Sequence, residues 1–301
     1  MHYSFSTMLM ALLASNILVI IIAICFCSRK ILINTGYRLL KLFAVLVLIR
    51  LLLPFEFSFT SNVILPEAPS RVVAFLRSEQ FLFRDRAFSV WNLFELLWLA
   101  GIFINIIILA KRQIIFKNYL RKYGTDKTND INYKPILDDI CRQYQKRNSF
   151  RIIELPGANV PFIYGLNNPC IVLPEKLSLP SGQLYYVLCH EAMHCFRHDL
   201  LVKGGIRILS IIYWWNPAFL LLWKQMDTLQ EMGTDKAITR GNHNATAEYA
   251  ECLLYIKKKA EENAATGLPG KNAFSFLRPH SRTLTNRLTV LLQESKHRAR
   301  I

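Results

Sequence analysis

The chain has 301 residues, 52% of them hydrophobic, and its 37 Lys and Arg against 21 Asp and Glu give a formal charge of +16. No recognisable nucleic-acid-binding module accompanies that charge, so direct nucleic-acid binding is not expected. The basic residues read instead as membrane topology and contact with anionic lipid.

The hydrophobic residues concentrate in blocks. Met8 to Cys27 is long enough to span a bilayer, with Ser15 and Asn16 as its polar breaks. It lacks a positive leading region and a small-residue cleavage site, which favours an uncleaved span over a signal peptide. Leu39 to Phe57 is a second span, interrupted by Lys41, Arg50 and Glu56, and Trp91 to Ala110 a third, with Glu95 and Asn105. Arg29, Lys30, Arg38 and Lys41 lie around the first connection, and Lys111, Arg112, Lys117, Arg121 and Lys122 follow the third span. The connection from 58 to 90 is mixed, with Arg71, Arg77, Arg84 and Arg86 offset by Glu67, Glu79 and Asp85. Short basic segments stay in the cytoplasm, so the N-terminus is expected outside and the chain after Lys111 inside. Residues 1–112 thus read as a membrane domain of three transmembrane helices and one extracellular loop, and 113–301 as a cytoplasmic domain. Cys25, Cys27, Cys141, Cys170, Cys189, Cys195 and Cys252 all fall in spans or in that inner part, so reduced thiols are expected.

Further along, Asp130 to Arg147 predicts a helix, and Phe150 to Leu155 and Cys170 to Leu173 predict short strands between Pro and Gly punctuation. Val160 to Val172 is placed to offer a sheet edge to an extended substrate. Ser181 is the expected cap of the next helix. That helix carries His190-Glu191-Ala192-Met193-His194. Residues four apart share a helical face, so His190 and His194 can hold one metal ion together, with Glu191 beside it as a base. A catalytic zinc needs a third protein ligand. His198 lies about 6 Å further along a straight helix, out of reach, and reads as a partly exposed helix histidine. Glu231 is the better candidate, with Asp235 one turn later as the group that orients a metal-bound histidine.

Between these sites runs Ile206 to Met226, apolar enough to cross a membrane, with Asn216-Pro217 in its middle to kink a helix. A full crossing would put Glu231 and the histidines on opposite sides. Either the segment is broken, re-entrant or membrane-associated, which is the expectation here, or Glu231 is not the ligand. After it, Thr246 to Asn263 predicts a helix, Thr266 to Lys271 a loop, and Ser281 to Arg300 a basic amphipathic tail that lies on the membrane or folds back.

In these residues the chain resembles the BlaR/MecR-type integral-membrane zinc peptidases, antibiotic-sensing signal transducers of bacteria. The resemblance rests on Pro161, Gly165, Pro169 and Ile171-Val172-Leu173-Pro174, then on His190-Glu191-x-x-His194-x-x-Arg197-x-Asp199, Trp215-Asn216-Pro217 and Glu231-x-x-x-Asp235. Thr234 departs from the Cys that many relatives carry there. The resemblance implies a mainly helical gluzincin-like domain with a small β-sheet, Zn2+ held by His190, His194 and Glu231, and Glu191 as catalytic base. It also implies a location in the bacterial inner membrane and a cytoplasmic protein substrate, a transcriptional repressor, with self-cleavage near Asn272-Ala273-Phe274-Ser275-Phe276. The 301 residues hold no counterpart of the penicillin-binding sensor of full-length relatives, so covalent antibiotic binding is not expected. A signal is expected through the outer loop or a membrane partner protein, and a homodimer is compatible with this reading. Two alternatives stand beside it: a quality-control or processing protease of the HtpX type, and a non-enzymatic signalling scaffold that keeps zinc for folding.

Overall fold

The computed structural model describes residues 15–21, 24, 37–52, 71, 74–76, 78–83, 86–175, 177, 179–239, 243–265, 284 and 287–292. Most of the first expected span, residues 53–57 of the second, the loop 266–271, the segment 272–276 and most of the basic tail lie outside them.

The first described elements belong to the apolar blocks. Residues 15–21 are helical, and helix α1 covers Tyr37–Leu52. Strands β1 (Glu79–Phe83) and β2 (Arg86–Ser89) pair as an antiparallel ribbon. Ser89 then caps helix α2 (Val90–Tyr123), exchanging hydrogen bonds with Asn92. Among the described residues α2 is the one helix long and apolar enough to cross a membrane. Its large side chains face outward, with Leu93 66% and Phe103 64% exposed. Water would penalise such a face, whereas lipid suits it. Asn105, the polar residue inside the stretch, donates to Gly101 O one turn back at 2.8 Å, which satisfies its amide without a partner helix. The basic residues from Lys111 to Lys122 follow on exposed surface.

Past α2 the chain forms a four-stranded sheet in the order β3-β4-β6-β5. It comprises β3 (Thr125–Asp126), β4 (Arg151–Leu155), β5 (Phe162–Tyr164) and β6 (Cys170–Pro174). β4 and β6 run parallel in full register, Arg151 opposite Cys170 through Leu155 opposite Pro174, while β3 and β5 are antiparallel edges. Every residue of β6 is buried, as its unbroken apolar run requires of a strand covered on both faces. The helix expected over 130–147 is shorter, as α3 (Lys134–Gln143). Asp130 accepts from the Asn132 backbone N–H at 3.0 Å and turns the chain there, and Gln145 ends it with φ 53°.

Four helices complete the chain: α4 (Ser181–Phe196), α5 (Asp199–Ile212), α6 (Pro217–Thr239) and α7 (His243–Ala265). Leu184, Leu188 and Ala192 of α4, spaced four apart, bury one stripe against Ile140 of α3, Ile152 of β4 and Leu173 of β6. Each fully buried aliphatic side chain there contributes about 1.5–3 kcal/mol. The cap differs from expectation: Pro180 occupies the N-cap position and Ser181 is already helical, with no side-chain cap bond.

The apolar segment 206–226 is broken outright rather than kinked. α5 ends at Ile212, residues 213–216 turn, and α6 begins with Pro217 at its first position, where its missing N–H costs nothing. Asn216 caps α6 by accepting from Ala218 N at 3.0 Å, and its amide donates to Asn16 Oδ1 at 3.0 Å. Leu40, Ala44 and Val47 of α1 pack with Val19 against Leu209 of α5 and Leu222 and Met226 of α6.

Among the described residues Cys141, Cys170, Cys189, Cys195 and Cys252 are free thiols, in line with the reduced state expected. Burial pushes Cys141, Cys170 and Cys252 up to about 11. Only the thiolate alkylates readily, so at neutral pH the native protein is expected to label slowly at these three and fully once denatured. Mass spectrometry after a brief iodoacetamide pulse reads this; rapid native labelling of all three would contradict the packing.

Candidate metal centre

His190 and His194 project from α4, and Glu231 approaches from α6. One nitrogen of each histidine and one carboxylate oxygen lie within 4.8 Å of one another. His190 Nε2 is 3.2 Å from Glu231 Oε2, and His194 Nε2 is 3.3 Å from Glu231 Oε1. The three side chains are largely buried, at 12%, 6% and 15% exposure. The histidines and Glu231 therefore sit at one place because the α5–α6 hairpin returns the chain after Asn216. Asp235, one turn on from Glu231, is fully buried in the same cluster.

The opposite ring nitrogens are occupied. His194 Nδ1 meets Asp199 Oδ2 at 3.0 Å, and His190 Nδ1 meets the Tyr249 hydroxyl at 2.7 Å. Both rings thus turn Nε2 toward Glu231. A carboxylate behind a histidine fixes the tautomer that leaves the other nitrogen free for a metal. The donor set of two nitrogens and one carboxylate oxygen, with the far nitrogens engaged, fits a zinc ion.

Sequence reasoning expected Asp235 to orient a histidine directly. Its carboxylate stands 3.8 Å from His190 Nδ1, beyond hydrogen-bond range, with Tyr249 between them. The direct partner of His194 is Asp199, a residue to which the spacing argument gave no role. His198 is not on a continuing helix: α4 stops at Phe196, and His198 takes the left-handed conformation, φ 57°, exposed and outside the cluster. That turn restarts the chain as α5 and brings Asp199 back beneath His194.

A second residue absent from the spacing argument is Arg287. The tail folds back at residues 287–292, with Leu291 in the core beside α4. Arg287 grips Asp235 through Nε at 2.7 Å and Nη2 at 2.6 Å, and its Nη1 reaches Glu231 Oε2 at 3.0 Å. Burial works against a charged Glu231, but Arg287 first and then His194 hold its carboxyl well below the usual range. Burial likewise opposes a charged His194, yet Glu231 and Asp199 outweigh it and push His194 up to about 10 in the metal-free protein. Glu191 is 7% exposed, and its carboxylate adds to the negative field at His194.

Two histidines one helical turn apart and a carboxylate from a second helix form a donor set that can hold a metal ion, with a buried glutamate next in sequence to the first histidine. The chain belongs to the BlaR1 peptidase M56 family, whose pattern matches residues 5–278. Over 168 residues it is 28% identical to the regulatory protein BlaR1 of Bacillus licheniformis, a stretch covering 54% of this chain and 27% of that protein. It is 28% identical over 97 residues to the methicillin resistance mecR1 proteins of Staphylococcus aureus and Staphylococcus epidermidis, covering 31% of this chain and 17% of each of those. The matched stretches span roughly a quarter or less of these relatives' own length.

Proposed function

We propose that the protein is a membrane-embedded zinc endopeptidase acting at the cytoplasmic face of the bacterial inner membrane. The convergence of His190, His194 and Glu231 within 4.8 Å, with Glu191 buried beside them, carries the proposal. His190, His194 and Glu231 would hold the zinc, which would supply Lewis-acid chemistry to a scissile carbonyl and to water. Glu191 takes the proton from the attacking water and passes it to the leaving amine. Asp199 and Tyr249 keep the two imidazoles turned to the metal. A purely structural zinc site has no use for a buried base, which tells against the scaffold reading.

β5 is an edge strand paired with β6 on one side and packed near α4. An extended substrate adds to that edge through main-chain hydrogen bonds, which brings a peptide bond past the metal. A substrate-bound structure with the peptide on another edge would refute this.

The broken segment reads as a re-entrant hairpin. Trp98 of α2 donates through Nε1 to Ile212 O at 2.8 Å, and the Trp214 ring lies against Gly101. Gly101 stands about 15 Å from Lys111 along the helix axis, half of a hydrocarbon core of about 30 Å. The hairpin tip then lies near mid-membrane, while below it Lys203 pairs with Asp227 at 2.8 Å and Arg207 lies over Trp223. This keeps the centre and everything after Lys111 on the inner side, as the basic residues require. Residues 1–112 form the membrane domain and 113–301 the peptidase domain, with the hairpin dipping back from the latter.

Similarity to a regulatory protein fits a role in regulation; the substrate in this reading is a cytoplasmic repressor, with self-cleavage near 272–276 as a second event. Detergent-purified protein is expected to hold about one zinc per chain and to cut itself or an added repressor. Chelation abolishes cleavage and zinc restores it. Cleavage indifferent to chelation would sink the zinc-peptidase reading.

A further inference from the structure

Behind the metal-facing atoms runs a buried line of contacts that a three-ligand site does not require: Arg287, Asp235, Tyr249, His190. We propose that Tyr249 is a positioning residue of the metal centre, holding His190 with its proton on Nδ1 and its lone pair on Nε2, and that Asp235 and Arg287 act through it. The inference rests on the zinc-peptidase reading of the same cluster.

Asp235 is completely buried, and the Arg287 Nε and Nη2 groups donate to it at 2.7 and 2.6 Å. A carboxylate held in this two-pronged grip offers only acceptor sites. The Tyr249 hydroxyl lies 2.7 Å from Asp235 Oδ1 and has one hydrogen to give, so it donates there. The same oxygen lies 2.7 Å from His190 Nδ1 and must accept from it, because its hydrogen is already spent. A neutral imidazole carries one N–H. With that proton on Nδ1, the Nε2 lone pair is kept for a metal ion shared with Glu231, whose Oε2 lies 3.2 Å away. Were Asp235 placed to serve His190 directly, Tyr249 would be redundant, but the gap is 3.8 Å.

The phenol is well made for this. Its ring is 1% exposed and wedged near Tyr186, ring centres 5.7 Å apart, so its oxygen has little freedom. Arg287 contributes twice: it fixes the Asp235 carboxylate that orients Tyr249, and it engages Glu231 Oε2, leaving Oε1 on the side of His194. The line thus joins the tail of the chain to the first histidine.

The test is zinc affinity of the full chain in detergent, measured by competition with a chromogenic chelator, alongside circular dichroism of the metal-free protein. Tyr249→Phe keeps the ring and deletes the oxygen. It is expected to weaken zinc binding about 10–100-fold while the metal-free variant stays folded. Tyr186→Phe, whose lost hydroxyl bonds Glu248 at 2.9 Å, is expected to bind zinc like wild type. A Tyr249→Phe affinity within twofold of wild type overturns the proposal, since a packing role needs only the ring. If Tyr249→Phe does not fold, Asp235→Asn decides: wild-type zinc affinity there overturns the line of contacts, and a loss of tenfold or more upholds it. Wild-type protein that binds no zinc would bring down the peptidase reading itself, whereas equal affinities of wild type and Tyr249→Phe bring down only this inference.

Discussion

Glu191→Gln is expected to abolish cleavage while leaving zinc bound. The substitution keeps the size of the side chain and removes its ability to take a proton. Glu191 is not among the three residues whose donor atoms converge, so the metal has no reason to leave. Loss of a positioned general base costs typically 10²–10⁴-fold, enough to make self-cleavage undetectable in an overnight incubation. Glu231→Gln differs in kind: it removes the anionic ligand, leaves Arg287 facing a neutral amide, and should lose zinc together with activity. Paired zinc assays and intact-mass measurements separate the two. A Glu191→Gln protein that still cuts at the wild-type rate would assign the base to another group.

Gly101→Leu is expected to lower cleavage at least tenfold from a position well away from the metal. A Cβ at 101 runs into the Trp214 ring, and the further atoms of leucine leave the indole no room. The tip of the α5–α6 hairpin must then move off α2. α6 starts at that tip and carries Glu231, so displacement at one end of a stiff helix shifts the ligand at the other. Structure around a site held to within about 0.5 Å tolerates little such movement. Leucine is more apolar than glycine, so insertion of α2 itself is not at risk. The companion variant Gly101→Leu with Trp214→Ala restores space and should recover part of the rate. Wild-type cleavage by Gly101→Leu alone would show that the tip contact is idle.

The parts of the centre that were legible in sequence obey local rules. His190 and His194 share a helical face by spacing alone. Glu231 stood out because an acidic helical stretch follows the histidine helix and a hydrophobic segment. What escaped depends on backbone turns and on distant partners. Asp199 falls beneath His194 only because His198 flips to positive φ, and nothing in the run from Phe196 to Asp199 marks that break: no glycine stands there. Tyr249 and Arg287 meet the cluster from 59 and 52 residues away, on helices whose own patterns say only that one side is buried. The Asn216-Pro217 pair was visible as a disruption, but a kink and a complete reversal look alike until the cap and the contact with Asn16 are seen. The ends of β4 and β6 were legible within a residue from short apolar runs beside Pro and Gly, whereas β1, β2, β3 and β5 were not marked out as strands.

Arg287 enters the centre from beyond the end of α7, held by Asp235, Glu231 and the packing of Leu291 and joined to the rest of the chain through residues 266–286. Within the intact chain its guanidinium has the high effective concentration of a tethered group. Any cut between Ala265 and Arg287 turns that contact into one between two molecules, and dilution then favours its loss. Asp235 and Glu231 would be left as buried carboxylates without their shared cation, a situation that destabilises a protein by about 3–5 kcal/mol. A nick in this stretch would therefore act as a clock: the centre would run on for as long as the severed tail stayed seated, and its working life would be set by a dissociation rate.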